Sequence, residues 1–123
     1  MKTSIRLALA AAFLAPAAAA LAHHSYAMFD MQKTVTLQGT IVQFKWQNPH
    51  AFLQVDAMVK GQTERWAIEM TSPNNLANDG FKRSSFKPGD KATIRIHPLR
   101  DGSKGGSFFA AKLADGTTLG DWK

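Results

Sequence analysis

Val35-Thr36-Leu37-Gln38-Gly39-Thr40-Ile41-Val42-Gln43-Phe44-Lys45-Trp46 is the stretch that decides the fold. Val35, Leu37, Gly39 and Ile41 share one parity, and Val42, Phe44 and Trp46 take the other. Successive side chains of a strand point to opposite faces, so each half reads as a half-buried strand and the change of parity requires one extra residue near Ile41-Val42. A β-bulge supplies that residue. Together with Gly39 it lets one long strand bend from one sheet into the next, the corner that small closed barrels need.

The chain after this strand continues in the same grammar. Gln47-Asn48-Pro49 predicts a turn, after which Leu53, Val55, Ala57 and Val59 alternate along a second strand with Phe52 on its other face. Lys60-Gly61-Gln62 predicts a tight hairpin turn, and a third strand sets Trp66, Ile68 and Met70 against Arg65 and Glu69. Ser72 as N-cap, Pro73 at the first helical position and Gly80 as terminator bracket a short helix around Leu76, and Leu76 and Phe81 are expected to plug one barrel end. Lys87-Pro88-Gly89-Asp90 is a turn signal, and Ala92, Ile94 and Ile96 alternate with Thr93, Arg95 and His97 in a fourth strand. Residues 100–106 read as a mobile loop, 107–113 as a fifth strand, and Asp115-Gly116 as the start of a tail. Three strands, one short helix and two more strands predict an all-β domain at 35–123: a small five-stranded OB-fold-like Greek-key barrel whose helix lies between strands three and four. An open β-sandwich is the alternative.

The residues before the barrel differ in kind. Lys2 and Arg6 form a basic start, 7–14 are almost wholly apolar, and Ala20-Leu21-Ala22 offers small residues where a signal peptidase reads. The apolar run is too short and too rich in alanine for a membrane span, which needs roughly 20 strongly apolar residues. The expectation is a cleavable signal peptide at 1–22, a periplasmic mature protein starting at His23, and an N-terminal arm at 23–34. Losing Lys2 and Arg6 lowers the net charge from +6 to +4. That excess is mild, and an exported protein meets no chromosome, so nucleic acid is not an expected partner. With no cysteine in the chain, the fold must hold by its core, and thiolate metal sites and cysteine nucleophiles are excluded.

No nucleophile elbow, phosphate loop, catalytic carboxylate pair or HExxH pattern occurs, so nothing in the residues argues for an enzyme. The chemistry lies in four histidines, His23, His24, His50 and His97. Cleavage after Ala22 would make His23 the N-terminus. Its free α-amine, with a pKa of about 7.7–8.0, the His24 backbone nitrogen and the His24 ring could then chelate Cu(II) in one plane. A second geometry uses the amine and ring of His23 with a third imidazole, for which His50 is the favoured residue. Met28 and Met31 add thioethers suited to Cu(I), and His97 is a further candidate. Copper is therefore the expected metal.

Each residue also has a plainer reading. His23-His24 can be a solvated arm with Met28 and Phe29 packed on the barrel; His50 can bond turn carbonyls beside Asn48-Pro49; His97 can be an ordinary surface residue. Trp46, Asn48 and Phe52 are candidates for a ligand face, with the aromatic pair alternatively filling rim or core positions. Arg65, Arg95, Lys45 and Lys112 are expected to form a solvated basic face. The competing function is therefore a ligand- or protein-binding module using that aromatic and basic surface. An oxidative copper enzyme is a third reading, for which no substrate cleft can be read.

The segments His23-His24-Ser25-Tyr26-Ala27-Met28-Phe29-Asp30, Trp46-Gln47-Asn48-Pro49-His50, Phe86-Lys87-Pro88-Gly89-Asp90 and Pro98-Leu99-Arg100-Asp101-Gly102 together resemble a family of small exported proteobacterial proteins classed as a domain of unknown function. The resemblance covers nearly all of the chain after residue 22. It implies that His23, His24, Asn48, Pro49 and His50 sit on the family's motifs, and it brings no activity with it.

Overall fold

The first strand, β1 (Val35–Lys45), bends where the parity changes. The computed structural model describes residues 26–123. In it β1 pairs along one edge with the second strand, β2 (Phe52–Val59), matching Ile41 to Val55 and Gln43 to Gln54, so Val42 is the bulged residue. Its N-terminal half, from Val35 to Thr40, pairs along the other edge with the fourth strand, β4 (Lys91–Pro98). One strand thus serves two directions, as the parity swap requires.

Gly39 stands at this corner because no other residue fits. A Cβ there would overlap the Asp56 carbonyl oxygen and crowd Ala57 Cα, both of them backbone atoms that cannot rotate away. Gly39→Ala is expected to destabilise the domain by about 2–3 kcal/mol, the usual cost of overpacking a tight site. Equal urea midpoints for Gly39→Ala and the parent would contradict this packing.

The third strand, β3 (Gln62–Glu69), pairs antiparallel with β2. The helix α1 (Pro73–Asn78) follows, with Ser72 accepting the Asn75 N–H at 3.3 Å and Asp79 as C-cap. The fifth strand, β5 (Gly105–Leu113), pairs antiparallel with β4 and, through Gly105, Gly106 and Ser107, parallel with Ala67, Ile68 and Glu69 of β3. That last pairing closes the ring as β1-β2-β3-β5-β4, the five-stranded OB-like barrel expected from the residue pattern.

Two expectations need correction. Gly105 and Gly106 are buried strand residues and not part of a mobile loop. They read as loop because they lack side chains, yet that is why they are there: a Cβ on Gly106 would strike the His97 carbonyl oxygen and Ile96 where three strands converge. The expected tail also contains a sixth strand, β6 (Thr118–Gly120), which pairs with Ala110–Lys112 on the part of the β5 edge that β3 leaves open.

The alternating residues meet inside the ring. Ile41, Leu53, Val55, Ile68, Ile94 and Ile96 are fully buried, and Leu76 and Phe81 close one end as expected. Phe86 joins them, 2% exposed, edge-on to Phe44 at 5.2 Å and to Phe108 at 6.1 Å between ring centres. Edge-to-face stacking favours such an aromatic plug.

The outer face carries the charges, though not as one basic surface. Arg65 donates to both carboxylate oxygens of its cross-strand partner Asp56, at 2.7 and 3.2 Å. The Arg95 guanidinium lies 3.9 Å over the Trp122 ring and donates to the Lys123 carbonyl. Two of the four cations expected on a solvated basic face are therefore engaged within the chain. The Arg65 hydrogen bond holds the Asp56 carboxyl below its ordinary value of 3.8. A depressed folded pKa gives stability that is present above the unfolded value and is lost as pH falls through the folded one. Asp56→Asn should therefore lower the thermal midpoint slightly at pH 7 and make no difference near pH 2. A gap that persists at the lower pH would contradict the pairing.

Candidate functional site

The arm does not lead freely into β1; it docks across the β4–β5 connection. Phe29 is buried and bridges Leu99, Asp30 N–H donates to the Pro98 carbonyl at 2.8 Å, and Arg100 N–H donates to the Met28 carbonyl at 2.8 Å. Arg100 Nε adds a bond to the Ala27 carbonyl, and His97 Nδ1 donates to the Lys33 carbonyl at 2.8 Å. These contacts fix the direction in which the chain reaches Tyr26.

Tyr26 then lies on the wall of a groove of about 260 Å³ that also exposes His50 and Glu69. Leu76, Phe81 and Phe108 form its apolar floor, while Ser107 and Asp79 contribute polar groups. Gly120 of β6 lines it as well, so the two ends of the described chain meet there.

His50 is held on two counts. Its neighbour Ala51 is fully buried and clamped, donating to the Thr71 carbonyl and accepting from Met70 N–H. Its ring meets the Glu69 carboxylate, with Nδ1 and Oε1 2.5 Å apart. A carboxylate only accepts, so Nδ1 carries the proton, and in the neutral ring Nε2 is then the nitrogen with the lone pair. The plainer expectation for His50, that it bonds carbonyls of its own turn, is replaced by this contact; the turn itself holds a cis Asn48-Pro49 peptide. Glu69 was expected only as an outward residue of β3. The register that sets it beside Phe52 and Ser107 gives it its partner, and no local spacing signals that.

The other candidates are spread out. Trp46 is half-buried, edge-on to Phe44 at 5.7 Å and packed against the core, so it fills the rim and leaves the groove to others. Asn48 and Phe52 do not line the groove either. His97 points outward beside Phe109, 5.2 Å between ring centres, and pins the arm. Met28 and Met31 are exposed at the surface of the arm. His23 and His24 lie outside the described residues. Among the described residues no three His, Asp or Glu side chains form a metal cage, and no helix is long and apolar enough to cross a membrane.

The chain matches no curated protein. Among solved structures it is similar to a crystal structure of the mitochondrial single-stranded DNA binding protein Rim1 from S. cerevisiae, with 16% identity over 67% of this chain and 94% of that one and a TM-score of 0.50. At that identity the likeness shows the OB-type barrel and nothing about ligands. The match over residues 11–109, which takes in β1 to β4, His50, Glu69 and the arm, makes the chain a member of DUF6152, a family of unknown function.

Proposed function

We propose that this protein is exported, loses residues 1–22, and binds a copper ion at its new N-terminus in the periplasm, with His23, His24 and His50 as ligands. The observation that carries the reading is the shared groove of Tyr26 and His50. His23 is three residues before Tyr26, so its amine and ring lie within about 10–11 Å of Tyr26 along the chain. The docked arm turns a loose tether into a short, directed one. A nitrogen-rich set of one amine and two or three imidazoles suits the tetragonal preference of Cu(II), and exposed Met28 and Met31 on the same arm offer soft donors for Cu(I). The role that follows is metal handling, or service as a metal-loaded accessory module.

A second reading is favoured by the groove itself. Its apolar floor of Leu76, Phe81 and Phe108 suits a small apolar ligand, and it replaces the Trp46/Phe52 surface as the place where a non-metal ligand would bind. Titrating tagless protein that begins at His23 with Cu(II), followed by electron paramagnetic resonance, separates the two. Tight one-to-one binding with a nitrogen-rich axial spectrum is expected. Weak binding that ignores the state of the N-terminus would refute the metal site.

A further inference from the structure

We infer that Glu69 is a positioning residue for the metal: it fixes the tautomer and the orientation of His50 so that Nε2 is the ligating atom. The inference rests on the proposed metal site and adds to it a residue that does not touch the ion. Its geometry stands on described residues alone. Glu69 is the last residue of β3, His50 lies in the β1–β2 connection, and the β2–β3 register, which pairs Glu69 with Phe52, brings the two side chains to 2.5 Å.

The pair is poorly explained as a stability device. The side chains of His50 and Glu69 are 42% and 23% exposed, and partly exposed ion pairs contribute little to folding. Ala51, tied to Thr71 and Met70, already holds the backbone at this point, so the carboxylate is not needed to keep the loop in place. What the carboxylate alone does is choose the ring nitrogen. Neutral imidazole can carry its proton on either nitrogen, and a free ring favours Nε2–H, which would leave the wrong lone pair for a ligand approaching from the groove. A carboxylate on Nδ1 reverses that choice, restrains ring rotation and makes Nε2 a stronger donor. Carboxylate-histidine pairs do the same behind metal ligands generally.

The inference predicts different behaviour with and without metal. In metal-free protein at a pH where the ring is neutral, long-range 15N–1H spectra should show His50 protonated at Nδ1. Glu69→Gln should keep the thermal midpoint of the parent, yet weaken Cu(II) about 10- to 100-fold, the usual loss when an outer partner of a ligand is removed. His50→Ala sets the scale of losing the ligand itself, and acetylation of the His23 amine tests the N-terminal site independently. An Nε2–H tautomer in the parent protein overturns the positioning role. So does Glu69→Gln with parental affinity while the acetylated chain binds weakly, and that outcome leaves the N-terminal site standing. Affinity indifferent to the acetylation and to both substitutions overturns both.

Discussion

Acetylating the His23 amine of protein that begins at His23 should reduce Cu(II) affinity on the order of 100-fold, equivalent to about 2.7 kcal/mol. The reason is chemical. Acetylation turns the terminal amine into an amide and supplies no new amine in its place, so the chelate loses the group that the His23 ring and the His24 nitrogens would share. The barrel is untouched, since the arm is anchored downstream of the change by Phe29, Asp30 and Arg100. Parent and acetylated protein should therefore share one thermal midpoint without metal and differ only when copper is added. Isothermal titration at fixed pH reads the difference, and equal affinities would remove the N-terminal amine from the site.

Phe86→Ala should be the most damaging single truncation in the core, costing about 3–5 kcal/mol. A domain of this size has a total stability of roughly 5–10 kcal/mol, so the loss takes a large share of it. Phe86 is 2% exposed and packs against Phe44, Phe81 and Phe108, which belong to β1, the segment after α1, and β5. The cavity would thus open between three parts of the chain that cannot collapse together. At about 4–8 °C per kcal/mol the thermal midpoint should fall by roughly 15–30 °C. Phe52→Ala on the outer face should cost far less, and comparable losses for the two would contradict the assignment of Phe86 to the barrel plug.

Phe86 also shows where the sequence was silent. It stands just before the Lys87-Pro88-Gly89-Asp90 turn, and no period there distinguishes a residue that plugs a barrel from one that faces water. The strands were legible because alternation is a local signal: Leu53, Val55 and Ala57, and Ala92, Ile94 and Ile96, are buried as their spacing required. The β1 bulge was legible for the same reason, as a break in that alternation. Gly105 and Gly106 were not, because they have no side chains to alternate and their pairing with β3 joins residues dozens of positions apart; β6 was not, because a strand of three residues is too short to show an alternation.

The candidate site divides along the same line. His50 stood out as a histidine beside an Asn-Pro turn, but the partner that orients it, Glu69, is 19 residues away and becomes its neighbour only through β2–β3 register. Arg65 and Arg95 looked like free cations because their partners, Asp56 and Trp122, come from other parts of the chain. The arm read as an unpatterned leader, since its docking relies on backbone hydrogen bonds that any residue type can make.

The meeting of Tyr26 and Gly120 in one groove sets an order of events. A chain made from its N-terminus presents the arm first, yet the wall that β6 contributes is synthesised last, and the parallel β3–β5 pairing needed to bring it there joins distant segments. Long-range closure of this kind is slow to form. The groove is therefore a late product of folding: until nearly the whole chain has emerged, the wall that Gly120 contributes is missing and His50 and Glu69 stand at an open edge.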